Sequence, residues 1–477
     1  MWFRFVISMT KKIVSASIVA FAPYPLILMM QVVFAGYLSV EEIGQFALVN
    51  FLLMFFMTST NWGVDKYIIA HKHINKTSIN TIFSQELMFA IIIYLVCFFI
   101  FRDNVNTYIG FADSKVFWAC IGLIFLYPPL SRPKAILEKD LLLLPAYMPA
   151  LAANIIAACI GCVLAIKGFG IWSMIAWKLA VFILEDLFLF IYSPGALKFR
   201  FSFDGLGKHS RFCLPLYFGA VISFFSVTAD IWIIRSMLGT FELGLYWFAF
   251  SISHTALALR AVINRILLPA LAAESTLERK LEVFIRLNSG LQIMFVIGTI
   301  VVAYWGSDFF SMVFGSKWSA AGPLFVILFY AVAFKVISGT ANPLLHSVMK
   351  TSIDLNVAIV NGLVLIPLVL AGAYFAGVKG AAVAVLISTL VMTCYVYQSH
   401  VSILCGRGFW YFFSYLTINV ASLISINFFF ENILENVVPR ILATFSSLLL
   451  AYIILNLPTI TGRKMSLSDL WFGHKTL

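Results

Sequence analysis

Eight ionisable side chains stand inside long apolar runs of this sequence: Lys178, Glu185, Asp186, Asp230, Arg235, Arg260, Arg265 and Lys335. A charge surrounded by hydrocarbon is costly to keep. It faces a polar interior or a wet cavity, or it lies close enough to an end for its stem to reach the interface. Five of the eight are basic. That balance suits an anionic head group, because Arg and Lys donors hold phosphate well in a desolvated cleft. Lys178 is the hardest to explain as an anchor, lying about two helical turns inside the outer end of its run with apolar residues on both sides. It is the first candidate for a cavity-lining residue. Arg260 lies about 25 Å along its run at about 1.5 Å per residue and is read as a second ligand contact. Arg265 and Lys335 are nearer the inner end, where ligand contact and interfacial anchoring explain them equally well. Arg235 is within a turn of the outer end and reads as a snorkelling anchor. Glu185, Asp186 and Asp230 are the candidates for ion coupling. Glu185 is seven residues from Lys178, on the same helix face but too distant for a direct pair. Asp230 pairs with a cation of another helix or exchanges a proton.

Other chemistry is poorly represented. The stretch 204–210 ends Gly-Lys-His-Ser, but Ser202 stands where a phosphate loop needs its first glycine, and His209 where it needs Ser or Thr. No HExxH helix, GxSxG elbow or Rossmann glycine pattern occurs. Cys159 and Cys162 sit in one apolar run without His or carboxylate neighbours and read as small buried hydrophobes, so no metal and no cofactor is expected. Gln31, Asn50, Asn154, Asn356 and Asn361 are polar positions inside apolar runs. They bind sugar hydroxyls or join neighbouring helices. A membrane-embedded polysaccharide polymerase or glycosyltransferase is the enzymatic alternative. It needs a sizeable catalytic loop, and the connections here are short.

The elements that carry these residues follow from composition. Of 477 residues, 62% are hydrophobic and 11% charged, against roughly 45–50% apolar and about 25% charged in soluble chains. The apolar residues come in runs of about 20, enough to cross a hydrocarbon core of about 30 Å as helix. Fourteen spans are expected, near 13–36, 43–62, 83–101, 116–131, 141–166, 170–193, 212–238, 243–268, 283–304, 319–339, 353–376, 378–404, 410–430 and 438–457. Helix is expected to continue past Pro133 and Pro343. Lys and Arg resist translocation, and they alternate between loops. Lys11, Lys12, Lys66, Lys72, Arg132, Lys134, Lys198, Arg200, Arg279, Lys280, Arg407 and Arg463 fall on one side. The other side has little beyond Arg102, Lys115, Lys167, Lys317, Lys379 and Arg440. Both termini are therefore expected in the cytoplasm. The net charge of +11 then describes inward loops facing anionic lipid, and nucleic acid is not needed to explain it.

The chain also repeats itself. At an offset of 200, Leu38, Glu42 and Gly44 meet Leu238, Glu242 and Gly244, and Phe46 meets Tyr246; at 210, Pro133 and Gly170 meet Pro343 and Gly380. The matches fall at equivalent places in two blocks of six spans. Six spans return the chain to its starting side, so the blocks are parallel repeats. The expected division is a six-helix lobe at 1–205, a second at 206–406, and two further helices with a cytoplasmic tail at 407–477.

The stretch RFCLPLYFGAVISFFSVTADIWIIRSMLGTFELGLYWFAFSIS, residues 211–253, resembles the seventh and eighth helices of Wzx-type polysaccharide flippases. That family opens helix 7 with a basic residue and a proline, carries a late Asp, and turns into helix 8 through an LG…LG-Tyr motif. Here these are Arg211, Pro215, Asp230, Leu238-Gly239 and Leu243-Gly244 with Tyr246. AGYLSVEEIGQFAL, residues 35–48, is similar to the family's turn between helices 1 and 2. The resemblance implies an all-α integral membrane fold of the MOP exporter superfamily, with two parallel six-helix lobes around a cavity that opens alternately to either side. It implies a flippase of the bacterial inner membrane that carries undecaprenyl-pyrophosphate-linked oligosaccharide repeat units, O-antigen or a similar surface polysaccharide, from the cytoplasmic to the periplasmic leaflet. Other exporters of the superfamily, for lipid II or for drugs, are the alternative. The implied partners are the lipid-linked oligosaccharide and membrane lipids, with a polysaccharide polymerase and a chain-length regulator as further candidates.

Overall fold

The computed structural model describes residues 19–60, 76–101, 127–140, 142–192, 206–274, 276–347 and 353–397, together with 68, 117–118, 121–122 and 125. Every regular element among the described residues is a helix. In chain order they are α1 (Pro23–Tyr37), α2 (Val40–Thr60), α3 (Lys76–Phe101), α4 (Tyr127–Lys139), α5 (Leu143–Ile166), α6 (Ile171–Tyr192) and α7 (Leu206–Leu238). There follow α8 (Thr240–His254), α9 (Leu257–Ala273), α10 (Leu277–Phe314), α11 (Ala321–Gly339), α12 (Ala341–Ser347) and α13 (Ile353–Val396). Seven helices among the described residues are long and apolar enough to cross a bilayer. Spans 410–430 and 438–457 lie outside the described residues. Many of the exposed side chains are large and apolar, Phe99, Met312 and Phe375 among them. An apolar surface of this extent marks contact with a membrane or with other proteins.

Local chemistry sets where the helices begin and end. Ser39 and Glu42 form a capping box: the Ser39 amide donates to Glu42 Oε2 at 2.8 Å, and the Glu42 amide to Ser39 Oγ at 3.2 Å. Each side chain thus satisfies a backbone donor that the first turn of α2 would otherwise leave open. Glu42 Oε1 meanwhile lies against Gly170, where a Cβ would occupy its place. Gly170 is left-handed (φ 55°) in the turn that reverses α5 into α6, a conformation open to glycine at little cost. Helix does continue past Pro133, in α4, and past the break before Pro343, in α12.

Two expected spans have different limits. α10 runs for 38 residues, about 57 Å at 1.5 Å per residue, because Thr276 caps it in a charged segment well before the apolar run starts. The spans expected at 353–376 and 378–404 do part at Ala376–Gly377, within α13, where φ turns to +60° at the glycine. The span expected at 243–268 is two helices, α8 and α9, parted by a tight turn. There Thr255 and Ala256 donate three residues back, to Ile252 and Ser253 carbonyls at 3.3 and 3.2 Å. The cause is local: Ser251, Ser253 and Thr255 hydroxyls all bond to carbonyls of their own helix, and His254 Nδ1 lies 3.1 Å from the Phe250 carbonyl. Four competitors for the backbone within five residues weaken an α-helical ladder.

The chain divides into two units, 1–247 with 361–366, and 248–360 with 367–477. In the first, α5 packs on α6 and α1, and α7 packs on α2. Its aromatic core runs Phe34, Trp177, Phe46, Trp247, with ring centroids 5.5–6.3 Å apart. In the second, α10 packs on α11 and α9 on α12. Phe248, Phe310, Phe314 and Trp318 form its tightest aromatic cluster, with Phe248 and Trp318 4.2 Å apart.

The repeat has a physical counterpart within the first unit. A Cβ on Gly44 would strike the Thr240 carbonyl, and one on Gly244 would strike the Val40 carbonyl. Val40 and Thr240, like Gly44 and Gly244, are partners at the offset of 200. The first turns of α2 and α8 therefore cross backbone to backbone with two-fold character.

Candidate functional site

In the second unit Arg260 reaches α11, the helix that carries Lys335. The Arg260 stem and guanidinium lie directly on Gly339, where a Cβ would take the place of Arg260 Cδ, Nε and Cζ. Lys335 is one turn before Gly339 on α11, hence on the same face. On α9, Asn264 is one turn after Arg260 and donates to the Gly339 carbonyl at 3.3 Å. Its own Oδ1 is buried and has no hydrogen-bond partner among the described residues. The Arg260–Asn264 stripe of α9 thus crosses the Lys335–Gly339 stripe of α11. His254, at the break between α8 and α9, lies within electrostatic reach of Lys335 and stacks on Phe250 with 3.5 Å between ring centroids. Arg260, Lys335 and His254 are all partly exposed. The arrangement concentrates nitrogen donors at a helix break, a setting suited to a phosphate or another compact anion. Arg265 lies on α9, and its side chain is outside the described residues.

The first unit holds the remaining candidates, and they do not form one group. Lys178 lies on α6 with its Nζ 4.8 Å from the centroid of the Trp177 ring, a cation–π distance. Glu185 is tied elsewhere. It accepts from Lys134 of α4 at 3.2 Å; the Lys134 Nζ also sits 5.6 Å from the centroid of the Tyr147 ring, and the Tyr147 hydroxyl donates to Glu138 at 2.7 Å. Asp186 is partly exposed beside this pair. Asp230 is almost completely buried. The Tyr246 hydroxyl donates to its Oδ2, and the amide of Ile231 to Oδ1 at 3.0 Å. Asp230 and Tyr246, both positions of the 211–253 motif, are therefore each other's partners across α7 and α8. Arg235 is partly exposed, but its Nε is buried without a partner among the described residues.

Two residues of this kind were not singled out from sequence. His254 went unremarked inside a supposed continuous span, although the run Ser251, Ser253, His254, Thr255 signals a break. Glu86 on α3 is fully buried beside buried Thr81, Ser84 and Gln85. Glu86 stands near the start of the apolar run expected at 83–101. Among the polar uncharged candidates, Asn361 donates to the Ser226 carbonyl at 2.6 Å and Asn154 to that of Ala150 at 2.8 Å, bonds that join or brace helices. No group of three or more His, Cys, Asp or Glu side chains among the described residues could hold a metal ion.

Known proteins resemble this chain along most of its length. The family described as "Polysaccharide biosynthesis protein" matches residues 33–323, more than half of the chain. The lipopolysaccharide biosynthesis protein WzxC of Escherichia coli K12 is 21% identical over 367 residues, covering 74% of this chain and 72% of WzxC. The succinoglycan biosynthesis transport protein ExoT of Rhizobium meliloti is 22% identical over 303 residues, 62% of this chain and 58% of ExoT. Among solved structures, the lipid II flippase MurJ in an inward closed conformation superimposes with a TM-score of 0.68 at 16% identity, over 93% of this chain and 99% of MurJ. An inward-facing multidrug resistance MATE transporter of the MOP superfamily does so with a TM-score of 0.59 at 13% identity, over 80% of this chain and 95% of that one. These likenesses establish the fold, which is all-helical among the described residues.

Proposed function

The chain belongs to the polysaccharide biosynthesis protein family, and from that premise we propose that it flips undecaprenyl-pyrophosphate-linked oligosaccharide repeat units, O-antigen or a similar surface polysaccharide, from the cytoplasmic to the periplasmic leaflet. It is a multi-pass membrane transporter and not an enzyme, in keeping with relatives that are transport proteins and flippases. The observation that carries the cargo assignment is the Arg260 guanidinium bedded on Gly339, one helical turn from Lys335. A pyrophosphate offers several acceptor oxygens, and charge-assisted bonds from Arg and Lys are the strongest available to it. Gly339 is what lets the guanidinium lie flat on a helix. Lys178 serves the same cargo from α6, and Arg265 stands on the same helix as Arg260. The prenyl chain stays in lipid throughout.

Transport runs by alternating access of two lobes, 1–205 and 206–406, in the inner membrane with both termini cytoplasmic. Asp230, Glu185 and Asp186 are the residues for ion coupling; a polymerase and a chain-length regulator are the further partners. The test is export in cells carrying Arg260→Ala together with Lys335→Ala. Lipid-linked repeat units should accumulate on the cytoplasmic face and surface glycan should fall, at unchanged membrane levels of the protein. Normal surface glycan in the double variant would remove these residues from cargo binding.

A further inference from the structure

Two polar atoms in the first unit are buried without hydrogen-bond partners among the described residues: Gln31 Oε1 on α1 and Trp177 Nε1 on α6. Both residues are more than nine-tenths buried, Gln31 with 8% and Trp177 with 7% of their surface exposed. They are neighbours through one side chain. Phe34 is one turn after Gln31 on α1, on the same face, and its ring centroid is 6.3 Å from that of Trp177. Gly161 of α5 makes the approach possible: a Cβ there would sit 2.9 Å from Trp177 Cβ and 3.2 Å from Phe34 Cζ. The indole nitrogen is only a donor and the amide oxygen only an acceptor. Lys178 adds a third group, its ammonium resting over the same Trp177 ring.

One donor, one acceptor and one cation beside an aromatic ring match a definite chemical class. Groups on a sugar ring carry donor and acceptor together, as a hydroxyl does by itself and an acetamido group does through its N–H and C=O. A buried polar group left unsatisfied is uncommon and calls for a reason. We propose that Gln31, Trp177 and Lys178 form a saccharide subsite, closed in this structure and opened when α1 moves off α6, which takes the sugar next to the cargo's phosphate. Gln31 Oε1 accepts from the sugar and Trp177 Nε1 donates to it. Lys178 holds the adjoining phosphate oxygen. The inference rests on the transport of a lipid-linked glycan proposed above and assigns its recognition to α1 and α6.

The test uses the full chain in lipid nanodiscs and two probes, undecaprenyl pyrophosphate and undecaprenyl-pyrophosphate-N-acetylglucosamine. Wild type should bind the glycosylated lipid about tenfold more tightly, about 1.4 kcal/mol from the two added hydrogen bonds together. Gln31→Leu and Trp177→Phe should erase that preference while leaving the bare pyrophosphate within about twofold of wild type. Gln31→Glu, which keeps an acceptor, should retain it. The inference is overturned if wild type shows no preference, if both variants keep it, or if they lose the two lipids equally as their melting temperatures fall. Wild type that binds neither lipid ends the transport reading and this inference together.

Discussion

At the scale of single residues, the sequence showed which side chains are out of place in hydrocarbon, but their partners came only from the fold. Lys178 stands where its spacing put it, two turns into α6, with an aromatic ring for a neighbour. Lys178→Ala should therefore stall export at normal membrane levels, whereas Arg235→Ala, near the C-terminal end of α7, should change it little; the comparison of surface glycan in the two strains decides between cavity residue and anchor. Losing one buried charge contact of this type costs on the order of 2–5 kcal/mol of binding. Glu185 is legible as a buried charge, but Lys134, its partner 51 residues away, looks in sequence like one of many loop cations. Nothing local couples the two. Asp230 and Tyr246 were both visible as motif positions, and only the packing of α7 on α8 makes them one hydrogen-bonded pair. Tyr246→Phe leaves the buried Asp230 carboxylate short of a donor, and such a loss costs about 1–3 kcal/mol. Asp230→Asn keeps an acceptor for the Tyr246 hydroxyl and should be milder. Thermal unfolding in detergent should rank Tyr246→Phe below Asp230→Asn; the reverse order would mean that the charge, not the bond, is what this pair needs.

At the scale of elements, periodicity and loop charge located the helices well, and the misplaced limits have separate causes. The turn between α8 and α9 was hidden because hydropathy counts Ser251, His254 and Thr255 as minor interruptions. Their effect on the backbone is to compete for its carbonyls, which no hydropathy sum records. α10 outruns its apolar segment because helix propensity and a cap extend it through charged residues. The crossing of α2 with α8 was half legible. Gly44 and Gly244 were seen as a repeat pair, yet that each meets the other's helix backbone is a fact of tertiary structure. An added methyl at Gly44 has to push α2 and α8 apart, because the Thr240 carbonyl cannot yield as a flexible side chain does. Gly44→Ala and Gly244→Ala should each lower the melting temperature, overpacking of this kind costing about 1–3 kcal/mol. Gly36→Ala on α1, where nothing lies within 4 Å of the added carbon, should be neutral or slightly stabilising by helix propensity. Equal effects at positions 36 and 44 would show that the crossing tolerates separation.

At the scale of the whole molecule, the alternation of basic loops and the repeat required no structure to read, because both are imposed by the bilayer and by the folding of similar sequence into similar helices. What sequence could not supply is a source of energy, and composition bears on it only through the missing phosphate loop. A pyrophosphate cargo carries about two negative charges, and an inside-negative potential drives anions outward. At about 2.3 kcal/mol per charge per 100 mV, the potential supplies roughly 4–5 kcal/mol if both charges cross uncompensated. Arg260, Lys335 and Lys178 reduce that figure to the extent that they travel with the cargo. A proton carried by Asp230 adds to it. In reconstituted vesicles free of nucleotide, flipping should accelerate when an inside-negative potential is imposed across correctly oriented protein, and slow when the potential is collapsed. Asp230→Asn should keep the response to potential and lose the response to a pH gradient if that carboxyl is the proton carrier; a pH response that survives Asp230→Asn assigns the proton to another group, with Glu185 and Asp186 next in line. Flipping that requires ATP and ignores both gradients would exclude the mechanism and demand a motor subunit outside this chain.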